Sequence, residues 1–118
     1  MDAQTFEQLV SDSETRRRAI RQKKRSDYDK DDDDRLSSFR KVAAIVNALE
    51  VDGFSGFTPS GIATIMLALK LVRDANLKNS GRPPQNESRM DTTDDLINYV
   101  YLKTGCEVDE QASKDAVK

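Results

Sequence analysis

Lys70 and Arg73 stand one helical turn apart, as do Asp91 and Asp95, so each pair would occupy one side of its own helix. Two such helices running antiparallel would set two cations against two carboxylates. That grouping has two uses. The cations suit phosphate oxygens and the carboxylates suit a hard divalent ion such as magnesium, or the four charges close on one another as an interhelical salt-bridge network that binds nothing. Arg73 is the member that most needs a partner. In an ideal helix it falls about 20° from Ile62 and continues the apolar row of Ile62, Met66 and Leu69. A guanidinium there either meets an anion or reaches past the core to water on its long stem. A second basic set, Arg17, Arg21 and Arg25, repeats at every fourth residue, where like charges repel unless an anion or a partner lies across them. Nucleic acid or another polyanion is one candidate for that place; a solvated face, partly neutralised by Glu7 and Glu14, is the other.

The rest of the composition narrows the chemistry. The chain has 118 residues and no histidine, which removes Ser-His-Asp, Cys-His and histidine-metal sites together. Catalysis would have to rest on carboxylates, lysine, tyrosine or a carboxylate-bound metal. One cysteine, Cys106, excludes an intramolecular disulfide framework and reads as a small packing residue rather than a reactive thiol. Charge is distributed unevenly. The net charge is −2, yet residues 16–30 carry eight Lys or Arg against two Asp, leaving −8 for the remainder. No apolar run reaches the roughly 20 residues of a membrane span, and the first residues lack a signal-peptide layout, so the expectation is a protein of the host cytoplasm, or alternatively of a virion.

Three regions follow from the pattern: an N-terminal helix and basic arm over 1–30, a helical bundle over 31–104 and a polar tail over 105–118. Thr5 and Gln8 have capping-box spacing, but no apolar residue falls between Val10 and Ala19, so 11–30 is either a helix crossing solvent or a flexible arm. Asp31, Asp32, Asp33 and Asp34 precede Leu36, Phe39, Val42, Ala43, Val46 and Leu49, which recur at helical spacing. Carboxylates there cap a helix start, with a metal cluster as the other use. Thr58 and Pro59 open a helix that is apolar almost all round as far as Leu77, as expected of a central, well-covered element. The last helix is expected over 90–104, with Gly105 as its stop. Asp91, Asp95, Asn98 and Leu102 share one of its sides, with Tyr99 at the edge.

Taken in order, these residues form a pattern: Arg25-x-x-Tyr28, then Val42-Ala43, then Thr58-Pro59-x-x-Ile62-Ala63-x-x-Met66-x-x-Leu69-Lys70-x-x-Arg73, then Asp91-x-x-x-Asp95-x-x-x-Tyr99. Over residues 25–102 this resembles a group of small phage-encoded domains of unknown function, themselves similar to the MazG-like all-α nucleoside triphosphate pyrophosphohydrolases. The resemblance implies an all-α, MazG-like bundle of about four helices, completed by oligomerisation. It also implies a phage or viral nucleotide-binding protein, with Lys70 and Arg73 on phosphates, Asp91 and Asp95 on magnesium, and Tyr28 or Tyr99 on base or sugar. Two departures bear on activity. Asp29 stands where the pattern has glycine, with an acidic insertion over 30–35, and the paired Glu-x-x-Glu and Glu-x-x-Asp magnesium elements of the pyrophosphohydrolases are missing. Magnesium-dependent pyrophosphohydrolysis is therefore not carried over with the fold. The alternative class is a non-enzymatic viral structural or interaction protein whose basic helix, through Arg17, Arg21 and Arg25, contacts nucleic acid or an acidic partner.

Overall fold

A computed structural model gives four α-helices: α1 (Ala3–Tyr28), α2 (Ser37–Leu49), α3 (Pro59–Ser80) and α4 (Arg89–Val117). A short 3-10 turn spans Val51–Gly53, and no strand occurs among the described residues. The structure describes residues 1–28, 34, 36–81 and 88–117, with the side chains of 25–28 outside that description. The all-α bundle expected from the sequence is present.

Local chemistry accounts for most helix ends. Asp2, rather than the Thr5 and Gln8 box, caps α1: its carboxylate accepts the Thr5 N–H at 2.7 Å, and the Thr5 hydroxyl together with that N–H holds the Asp2 pKa below its usual range. Gln8 donates instead to Asp12 one turn on, at 2.8 Å. The helix then continues unbroken through the basic segment as one 26-residue rod. Asp34 accepts the Leu36 N–H at 3.1 Å and pairs with Arg40, so a carboxylate does sit where α2 begins; Asp31, Asp32 and Asp33 lie outside the described residues. Between α2 and α3 the backbone turns through positive φ at Glu50, Asp52 and Gly53. The turn is clamped by Asn47, whose side chain donates to Phe57 O at 2.9 Å and accepts from Phe57 N at 2.8 Å. Thr58 caps α3 by accepting the Gly61 N–H at 3.0 Å, with Pro59 in the first turn, as its sequence indicates.

α3 and α4 run antiparallel, shown by polar contacts that join Ser60 to Glu110, Lys70 to Asp95 and Asp74 to Arg89. α4 does not stop at Gly105. That glycine lies inside the helix beneath the Leu36 side chain, and the two glycines with positive φ are Gly53 and Gly81. The segment expected as a tail stays helical because Cys106 is buried and Glu110 receives both the N–H and the hydroxyl of Ser60, at 2.9 and 2.8 Å. α2 meets α4 through Phe39, set edge-on to Tyr99 with ring centroids 6.5 Å apart.

The interior is unusual in what it contains. Among the described residues the buried apolar ones are Ala43, Ile62, Ala63 and Cys106, while Ser13, Arg17, Thr92, Asp94, Asp95 and Asn98 are buried polar ones. Conversely Ile65, Leu69, Leu71 and Val72, expected in the cover of a central α3, are more than half exposed. One side of α3 packs on its neighbours, and the opposite side faces outward. No helix among the described residues is long and apolar enough to cross a membrane.

Candidate anion site at the crossing of α1, α3 and α4

Residues 94–98 of α4 form the floor of the crossing. Asp94 has no exposed surface; its carboxylate accepts from Ser13 at 2.5 Å and from Arg16 Nε at 2.8 Å. That bond to Asp94 raises the pKa of Arg16 further and keeps it charged. Asp95 takes Lys70 Nζ from α3 at 3.2 Å and Lys24 Nζ from α1 at 3.6 Å on its two oxygens. Asn98 accepts from Arg21 at 2.8 Å and donates to Arg17 O at 3.3 Å. Three helices are thus joined through two neighbouring carboxylates and one amide.

Arg17 differs from the other cations. Only 6% of its surface is exposed, its guanidinium donates to the Ser13 hydroxyl through Nη1, and its buried Nε has no hydrogen-bond partner among the described residues. Ser13 in turn gives its proton to Asp94, so Arg17 reaches a carboxylate only through a hydroxyl. A buried charge without a direct counter-ion is costly, on the order of several kcal/mol.

No family model, curated protein or solved structure matches this chain. The geometry therefore carries the reading of the site.

The sequence candidates are distributed as follows. Lys70 and Asp95 meet across the antiparallel pair, and Arg73 is half-buried on the same covered side of α3. Asp91 is not with them. It is exposed in the first turn of α4, where its carboxylate accepts the Ser88 N–H at 3.2 Å and its own N–H donates to Ser88 Oγ at 3.0 Å, a reciprocal cap. Tyr99 packs against Phe39. Arg17 and Arg21 turn toward α4 instead of solvent, so the partner required across that stripe is supplied at least partly from within the chain. The side chains of Arg25 and Tyr28 lie outside the described residues.

Ser13, Arg16, Lys24 and Asp94 were not among the site residues expected from the sequence, although Arg16 and Lys24 belong to its basic segment and Asp94 has a metal-pair spacing with Asp91. Asp94 carried a usable signal, since it lies one turn before Asn98 on the side already marked by Asp91 and Asp95. Ser13 carried none, because one serine in a polar helix is ordinary. A cleft of about 300 Å³ lies elsewhere, lined in part by Leu36, Pro59, Cys106 and Glu110, and does not include the cation cluster. Burial, reinforced by Glu110 and Asp109, pushes the Cys106 thiol up to about 11, which keeps it protonated and poorly nucleophilic near neutrality.

Proposed function

We propose that this chain binds a phosphate-bearing ligand, a nucleotide, at the crossing of α1, α3 and α4, in keeping with the MazG-like resemblance of its motifs. The observation that carries the reading is Arg17, a buried guanidinium whose Nε has no acceptor among the described residues, beside a cluster that also holds Arg16, Arg21, Lys24 and Lys70. A phosphate oxygen would supply the missing acceptor, and its charge would be shared by neighbouring cations. Binding, rather than hydrolysis, is the activity supported. Asp91 is occupied as a cap and Asp95 lies between two ammonium groups, so neither carboxylate stands ready for a magnesium ion. Were magnesium to take part, Asp95 is the carboxylate that would hold it, and the ion would offset the charge of the ligand phosphates. The inward turn of Arg17 and Arg21 weighs against the alternative of a basic helix laid on nucleic acid. A homo-oligomer remains part of the reading, supported by the apolar residues left outside.

Thermal denaturation with nucleoside mono-, di- and triphosphates and pyrophosphate, each with and without magnesium, tests the proposal. A ligand at 100 times its Kd should raise Tm by roughly 10 °C, less at high salt, and Arg17→Met should abolish the rise. A shift that needs magnesium marks an ion held with the ligand; a shift without it marks direct pairing with the arginines. If no phosphate compound moves Tm, the reading fails.

A further inference from the structure

We infer that the outer face of α3 is an isologous seam, on which a second copy of this chain packs antiparallel with the two-fold axis level with residue 70. This deepens the homo-oligomer reading by naming the face and the register, and it does not depend on the ligand.

The distribution of charge along α3 is the first argument. Between Gly61 and Asn76 its charged residues are Lys70, Arg73 and Asp74, and all three are half-buried on the side turned to the rest of the chain. The opposite side carries Thr64, Ile65, Ala68, Leu69, Leu71, Val72, Ala75 and Asn76, all exposed and none charged. Ile65, Leu69, Leu71 and Val72 are between 51% and 61% exposed. A helix in contact with water on that side would be expected to show the reverse arrangement.

The extent of the surface is the second argument. A compact monomer of 13.3 kDa exposes about 6,500 Å². This chain exposes 8560 Å², an excess over the whole chain of about 2,000 Å², so the roughly 1,000 Å² per partner of a small obligate interface can be covered from it. Four small to medium apolar residues in the interior do not offset such exposure.

The third argument selects the occupant. Along the exposed side, Ile65 and Val72 recur seven residues apart, and so do Ala68 and Ala75. Bulky and small side chains thus alternate at coiled-coil positions. In an antiparallel pair centred on 70, Ile65 lies opposite the partner's Ala75 and Val72 opposite the partner's Ala68, so these two β-branched residues enter the space over alanines, while Leu69 meets the partner's Leu71. The match is reciprocal, as a two-fold axis requires, and it arises from one sequence facing itself.

Sedimentation equilibrium from 1 to 100 µM should give twice the 13.3 kDa chain mass, and Val72→Glu should weaken association by roughly a hundredfold or more, with helix content by circular dichroism unchanged. In a Cys106→Ser background, mixing Ala68→Cys with Val72→Cys chains under oxidation should yield the mixed disulfide dimer in preference to either self-linked one. A monomer at 100 µM would overturn both the homo-oligomer reading and the seam. A dimer indifferent to Val72→Glu, without the mixed link, would overturn the seam alone, and self-linked dimers would overturn the antiparallel register.

Discussion

The crossing of α1 with α4 and the outer face of α3 invert the usual distribution of side chains. At the crossing, Arg17, Asp94, Asp95 and Asn98 are withdrawn from water, and α1 is held by ion pairs and hydrogen bonds. On α3, Ile65, Leu69 and Val72 are left in water by the single chain. The contrast shows that one chain does not cover every apolar residue here. It also shows that the charged crossing is costly to keep unless its groups are fully matched. The two proposals answer these two situations differently, with an anion at the crossing and a second copy of the chain on α3.

Breaking the crossing should have the largest effect. Asp94→Ala removes the acceptor of both Ser13 and Arg16 and leaves Arg17 further from any countercharge; urea denaturation should show a loss of about 3–4 kcal/mol. Next comes a paired measurement on α3. Ile62→Ala, on the buried side, should cost about 3 kcal/mol at any protein concentration. Val72→Ala should cost little in dilute solution and more as concentration rises, because only the wild type gains fully from association. A concentration-independent Val72→Ala would remove the contrast between the two sides of α3.

Cys106 gives a smaller, pH-dependent effect. The thiol titrates near 9.0 when unfolded and at about 11 when folded, so above pH 9 the unfolded chain releases a proton that the folded chain retains. Its contribution is therefore fully present below pH 9 and is lost as pH rises to about 11, by roughly 2–3 kcal/mol. The difference in stability between wild type and Cys106→Ser should follow that window; a difference flat across it would contradict the burial of this thiol. The smallest effect is that of salt. Raising NaCl to about 1 M should increase amide exchange in α1 a few-fold while leaving α3 unchanged, since exposed and half-exposed ion pairs are screened and apolar contacts are not.

What could be read in advance was local. The Thr58 cap, Pro59 in the first turn and the helical periods of α2 and α3 depend on neighbours within a few residues, and they appear as read. The antiparallel pairing of Lys70 with Asp95 was also legible, because each side's spacing fixes where its charges emerge from a helix. Misreadings arose where one residue type serves two geometries. Gly105 resembles a helix stop but lies within α4 under Leu36, and Asp91 resembles a metal ligand but closes a cap with Ser88. The burial of Arg17 could not be read at all, since it follows from α4 crossing α1 there, where Asp94 meets Ser13 and Asn98 meets the Arg17 carbonyl some 80 residues later in the chain.

The sequence by itself determined an all-α chain, the cap that opens α3, the absence of histidine chemistry and the alternation of large and small residues on α3. These follow from spacing along one helix or from composition alone. Only the tertiary structure decided which side of α3 is covered, which carboxylates meet the arginines of α1 and which cation is left buried with an unmatched nitrogen. Those outcomes depend on how helices distant in sequence cross, because burial and charge pairing are properties of the space between elements.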